Sequence, residues 1–179
     1  LRSGSVRLTA DGGFVTVAGM IDTSGVNGGD IALYGTKGVT LQLTAKLDAH
    51  ADGYAADDTR RARAGTITLG TDFIRGSAIT GGDGSVSGTS GAVKVTAGAL
   101  LDVSARRPGD RLVRLMRNGT VYYQYVEADQ GGAVNFRAPV YVNNGNQTVN
   151  VAVDQASSIV GARSVAIEGF KRWDLAAVA

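Results

Sequence analysis

The sequence predicts an all-β chain wound as a parallel β-helix, a solenoid, carrying one β-hairpin that either protrudes or is docked. Three observations predict it. Five short stretches open on Gly and then alternate apolar with polar residues: GSVRLTA (4–10), GDIALYG (29–35), GTITLGT (65–71), GAVKVTA (91–97) and GAVNFRA (132–138). Alternation with a period of two marks a strand with one buried face. Three further stretches, GMIDTSG (19–25), AKLDAHA (45–51) and ALLDVSA (99–105), share an apolar residue, an Asp, one variable residue and a Ser or His. Recurrence of whole units at intervals of a few tens of residues is the mark of a solenoid. The third observation is Asn118-Gly119 set between two alternating runs, which signals a tight hairpin.

The elements follow in order. In the first unit strands are expected at 5–9, 14–18 and 20–23, joined by DGG (11–13) and GVNGG (25–29). These Gly-rich joints are expected to supply the positive φ that sharp corners need. Gly4 and Gly29 are 25 residues apart, and Gly65 and Gly91 are 26 apart, so the basic coil is near 25 residues. The intervals of 36 (29 to 65) and 41 (91 to 132) each hold one coil plus an insertion. The inward set is expected to be Val6, Leu8, Val15, Val17, Ile31, Leu33, Leu41, Leu43, Ile67, Leu69, Val93, Val95, Val134 and Phe136. A β-sandwich would also alternate, but it does not call for GG-flanked recurrence of the apolar-Asp motif.

The first insertion, DGYAADDTRRARA (52–64), is charged and reads as an exposed loop. In the second, with Asn118-Gly119 as the loop, Arg117 pairs with Thr120, Leu115 with Tyr122, Arg114 with Tyr123 and Leu112 with Tyr125. The chain therefore divides into coils over 1–105, a hairpin insertion over 106–131 and terminal coils over 132–179, as one domain. TVNVAV (148–153) and RSVAIEGF (163–170) return to plain strand patterning.

Composition bounds the function. The 179 residues suit one domain, and 26 Gly with 2 Pro describe a chain that turns often. Aromatic residues at 6% against 44% hydrophobic imply a core of small aliphatics. A net charge of +2 is no argument for nucleic acid. Without Cys there are no disulfides or thiolate metal sites. No signal peptide, transmembrane run or lipidation motif is present, and both ends fall mid-pattern, which reads as a piece of a longer protein.

With the coils aligned, the chain resembles the large bacterial exoproteins of the filamentous haemagglutinin type, the passengers of two-partner secretion. The GGDIAL-type coil starts, the MIDTSG, KLDAHA and LLDVSA coil ends, and SIVGARSVAIEGFKRWD (158–174) carry the resemblance. It covers most of the chain except the hairpin, 109–128. It implies a right-handed parallel β-helix, secreted or at the bacterial cell surface and acting in adhesion, here as an internal segment of the shaft. The amino-terminal secretion domain of that family is not in this sequence.

Several residue groups invite a chemical reading. Asp22, Asp48 and Asp102 occupy one motif position, so stacked coils bring them to one corner. Clustered carboxylates could serve a polysaccharide lyase or hydrolase. A device that repeats at every corner is better read as an Asp bonding the backbone two residues on. GGDGSVSG (81–88) echoes a calcium-binding nonapeptide but lacks the second Asp and does not repeat. His50, the only His, matches Ser24 and Ser104 in the motif and reads as a corner residue. Arg60, Arg61 and Arg63 beside Asp57 and Asp58 read as a solvated loop with a cleavable dibasic step. Asn118-Gly119-Thr120 and Asn146-Gln147-Thr148 match the N-glycosylation pattern, idle in a bacterial chain.

The hairpin is the strongest functional candidate. Tyr and Arg offer area, hydrogen bonds and stacking, so Arg114, Tyr123 and Tyr125 are the expected contacts to a surface glycan or protein receptor. The competing expectation is a hairpin lying on the solenoid over Leu112 and Met116, with Arg114 stacked on Tyr123. The sequence therefore reads as a structural and adhesive segment, not an enzyme, with no cofactor and no metal. It has no nucleic-acid partner and no membrane insertion; its other contacts are neighbouring coils or its own copies. Alternatives are a carbohydrate-active β-helix enzyme and a self-assembling filament subunit. Leu33→Asp or Ile67→Asp is expected to collapse the fold.

Overall fold

The structure, a computed structural model, describes residues 4–71, 91–143 and 145–171. These residues are all-β and contain no helix. A first set of three strands is β1 (Val6–Ala10), β2 (Phe14–Val17) and β3 (Met20–Asp22). The second is β4 (Ile31–Gly35), β5 (Gly38–Leu41) and β6 (Lys46–Asp48), and the third β7 (Thr66–Gly70), β8 (Ala92–Val95) and β9 (Leu100–Asp102). Then come the paired strands β10 (Arg111–Arg117) and β11 (Thr120–Val126). The chain continues with β12 (Ala133–Asn143), β13 (Asn146–Val149), β14 (Val151–Val153), β15 (Ser158–Val160) and β16 (Ser164–Phe170).

Equivalent strands of successive sets lie side by side and parallel. One sheet runs β1-β4-β7-β12-β16, a second β2-β5-β8-β14 and a third β3-β6-β9-β15. Among the described residues, only the β10–β11 and β12–β13 pairs are antiparallel. Predominantly parallel ladders exclude the antiparallel sandwich. The registers align the alternating apolar residues into columns. Leu8, Leu33, Leu69, Phe136 and Ile167 form one, Val17, Leu41, Val95 and Val153 a second, and Ile21, Leu47, Leu101 and Ile159 a third. Buried members of all three sheets meet in a single core cluster. A strand buried on its inner face is held by neighbours on both sides, so interior members such as Leu33, Ile67 and Leu101 are fully buried.

Four details differ from the sequence reading. Leu8 is 44% exposed and Val6 half-buried, because among the described residues β1 has a neighbour on one side only. Leu43 is exposed as well: β5 ends at Leu41, and Leu43 falls in the turn to β6 rather than on the strand. GAVKVTA is not a fifth copy of the other Gly-led strands, since β8 pairs with β5 in the second sheet. TVNVAV is split, with β13 pairing antiparallel to β12 and β14 joining β8.

Glycine also acts differently from expectation at one joint. Gly12 has φ +75°, as the DGG corner requires, but no positive φ occurs within GVNGG. There the requirement is close approach: a Cβ on Gly28 would stand 2.0 Å from the Ala49 carbonyl oxygen. The same holds at the strand starts, where a Cβ on Gly65 would lie 1.8 Å from the Gly29 oxygen. GGDGSVSG and the sequence after Lys171 lie outside the described residues.

Candidate functional site

The two insertions leave the fold at the same corner of successive sets. Loop 52–64 follows β6 and the hairpin follows β9, and β6 and β9 are parallel neighbours. Stacking therefore brings the insertions side by side, and they form one appendage.

The hairpin has the register its sequence dictates. Asn118 at φ 50° and Gly119 at φ +78° supply the two left-handed residues of a type I′ loop. Arg117 then faces Thr120, Leu115 Tyr122, Arg114 Tyr123 and Leu112 Tyr125. Alternation divides the ribbon into two faces. On one, Val113 and Val126 near the base are 2% and 3% exposed. On the other, Leu112, Arg114, Met116, Val121, Tyr123 and Tyr125 are all exposed. The hairpin thus packs by its base alone. Leu112 and Met116, at 68% exposure each, are not covered. Nor does Arg114 stack on Tyr123: the cation–π pairs of the described residues are Arg7–Tyr34, Arg60–Tyr54 and Arg137–Phe170.

Loop 52–64 is the seat of that base. Arg61 donates to the Ala128 carbonyl at 3.1 Å and pairs with Glu127. The Ala62 N–H donates to Asp129 Oδ1 at 2.9 Å. From the hairpin side, Arg107 donates to the Ala55 carbonyl and Arg111 to those of Asp58 and Arg60. Arg111 Nη1 lies 3.5 Å from Asp129 Oδ1, with the Asp129 side chain fully buried. Asp110 fastens the foot of the exposed face by accepting from Tyr125 Oη and from the Ala128 N–H. The Tyr125 hydroxyl, and then the Ala128 N–H, hold the Asp110 carboxyl below its ordinary value; the same Tyr125–Asp110 bond pushes the phenol up. The Tyr125 ring remains exposed while its hydroxyl is engaged.

The basic loop is therefore only partly a solvated one. Arg60 pairs with Asp58 at 2.6 Å and holds that carboxyl at about 2, whereas Arg61 reaches across to the hairpin. Arg111 and Asp129 are residues that the sequence did not single out, and Arg61, read there as part of a solvated loop, is instead bonded to the hairpin. Their signal was available: both insertions follow the same apolar-Asp motif, so stacking places them together.

The carboxylate ladder is in register, with Asp22 opposite Asp48 and Asp48 opposite Asp102. Each carboxylate accepts from the backbone N–H two residues on: Ser24 at 2.8 Å, His50 at 3.3 Å and Ser104 at 3.0 Å. These are Asx turns closing the strand ends. The fourth rung is Val160. His50 stands between two acids, with Nδ1 2.5 Å from Asp48 and Nε2 3.3 Å from Asp52. Burial pushes the imidazole pKa down, but Asp48 and Asp52 outweigh it and hold it above 6.5. Burial raises the Asp48 carboxyl, and the bonds from His50 and Lys46 more than reverse that. Asp48, His50 and Asp102 bring donor atoms within 4.8 Å of one another, the one such group among the described residues. Lys46 Nζ, 2.9 Å from Asp48 Oδ2, already supplies a cation there. The corner is an ion-pair network.

No protein-family model, curated protein or solved structure matches the chain.

Proposed function

We propose that this chain is a segment of a right-handed parallel β-helix that serves as a stiff shaft, and that its hairpin is an adhesive contact. The three in-register parallel sheets around one aliphatic core support the shaft reading, because each set of strands is stabilised by the next. The observation that carries the adhesive reading is the exposed face of Leu112, Arg114, Met116, Val121, Tyr123 and Tyr125 on a ribbon anchored only at its base. An isolated hairpin is marginal in water, so this one depends on the Arg61, Arg111 and Asp129 seat to stay extended. Tyr and Arg at the centre of an exposed patch are what binding hot spots are made of.

In this reading the parent is a secreted or surface-displayed bacterial exoprotein of the filamentous haemagglutinin type, and the segment has no catalytic role. The Asp corner supports a structural assignment, since its carboxylates are occupied by Asx turns and by Lys46 and His50.

The test is binding of the purified chain to glycan arrays and to host-cell surfaces, beside a variant with Arg114, Tyr123 and Tyr125 changed to Ala. The expected result is binding by the parent chain, lost in a variant that remains folded. Equal binding by both would remove the hairpin from the adhesive role. Absence of binding by either would leave a spacer.

A further inference from the structure

The composition of the exposed hairpin face narrows the class of partner, an argument that rests on the hairpin being the contact. Its cross-strand pairs are Leu112–Tyr125, Arg114–Tyr123 and Met116–Val121. Five of these six side chains are apolar or aromatic, and the one charge lies in the middle pair. Arg114 has no hydrogen-bond or ion-pair partner among the described residues, and the face carries no carboxylate of its own. Asp110, at its foot, is committed to Tyr125 and Ala128.

A sugar makes hydrogen bonds with its ring hydroxyls as well as stacking on aromatic rings. Here the Tyr125 hydroxyl is spent, Tyr122 lies on the opposite face, and Leu112, Met116 and Val121 offer no hydrogen bond. Only Arg114 and the Tyr123 hydroxyl remain for recognition. A second copy of the same face fits no better: the face carries no carboxylate, so an isologous contact brings no acid to either Arg114. An apolar surface with one carboxylate at its centre satisfies every group. Its apolar side chains cover the outer pairs, and the acid meets a guanidinium that has no other partner.

We propose that the partner of this hairpin is a protein surface, apolar with a central Asp or Glu, and that Arg114 is its specificity-determining residue. Apolar burial supplies affinity and the Arg114–carboxylate pair selects among apolar surfaces.

A display library of random peptides, selected on the folded chain and counter-selected on the Arg114→Ala, Tyr123→Ala double variant, tests this. Glycan arrays probed with the same proteins run beside it. Expected are enriched peptides with an acidic residue between apolar ones, whose affinity falls about ten-fold or more on Arg114→Glu. Changing the peptide acid to Lys is expected to restore binding to that variant. Arg114 is exposed, so these variants keep the parent melting curve; Arg114→Lys, retaining the charge, is expected to lose less. Enriched peptides without an acid, or indifferent to Arg114→Glu, would overturn the proposal. Hairpin-dependent glycan binding without peptide enrichment would overturn it in favour of a sugar partner while keeping the adhesive reading. No hairpin-dependent binding in either assay would overturn both.

Discussion

His50 shows how a single residue can report on its corner. Both ring nitrogens face carboxylate oxygens, so only the imidazolium, with two N–H groups, satisfies both contacts. Its folded pKa is raised above 6.5, so its stabilisation is complete below about that pH and is lost as pH rises through the folded value. The Asp48 carboxyl is lowered below 3.8, so its contribution is present above about that pH and is lost as pH falls through the folded value. The corner is therefore most stable between about pH 4 and 6.5. Thermal melts from pH 5 to 8 are expected to show a falling midpoint in the parent chain and a flatter profile in His50→Gln. An equally steep fall in the variant would contradict the assignment.

At the scale of elements, the hairpin depends on its seat more than on its own pairing. Asp129 is fully buried beside Arg111, and removing one member of a buried pair leaves the other charge uncompensated, at a cost of about 3–5 kcal/mol. Asp129→Ala is expected to speed amide exchange throughout β10 and β11 while the three parallel sheets keep their protection. Loss of protection everywhere at once would show that the appendage and the sheets are one cooperative unit.

The same elements show what the sequence could and could not reveal. The hairpin register was legible because Asn118-Gly119 fixes the loop and alternation does the rest. The strand faces were legible for the same reason, and twelve of the fourteen expected core residues are buried or half-buried, with Leu8 and Leu43 the exposed pair. Sheet membership was not legible. Alternation in GAVKVTA announces a buried face but does not say which neighbour the strand will pair with, and β8 joined β5. Arg61 illustrates a second limit: beside Asp57 and Asp58 in sequence it looks locally paired, yet its partner Glu127 is 66 residues away.

Across the whole molecule, stability rests on columns in which each residue packs against its equivalents in neighbouring strands. Leu33 touches this network from both sides, between Leu8 and Leu69, and Ile67 lies between Ile31 and Val134. Leu33→Asp or Ile67→Asp places an unpaired charge in a fully buried column, and each is expected to cost more than about 4 kcal/mol and abolish the cooperative transition. A variant that kept the parent melting curve would show that its side chain does not face the core.

Distant segments stack in register, and cross-linking tests this most directly because the chain has no Cys of its own. Thr40 and Lys94 are register partners on β5 and β8, although 54 residues separate them. Parallel neighbours lie about 4.8 Å apart, within reach of a disulfide. Thr40→Cys with Lys94→Cys is therefore expected to oxidise to an intramolecular disulfide in the native protein. Thr40→Cys with Thr68→Cys is closer in sequence but puts the thiols on different sheets, and it is expected to stay reduced. A disulfide in the second variant and none in the first would contradict the stacked arrangement.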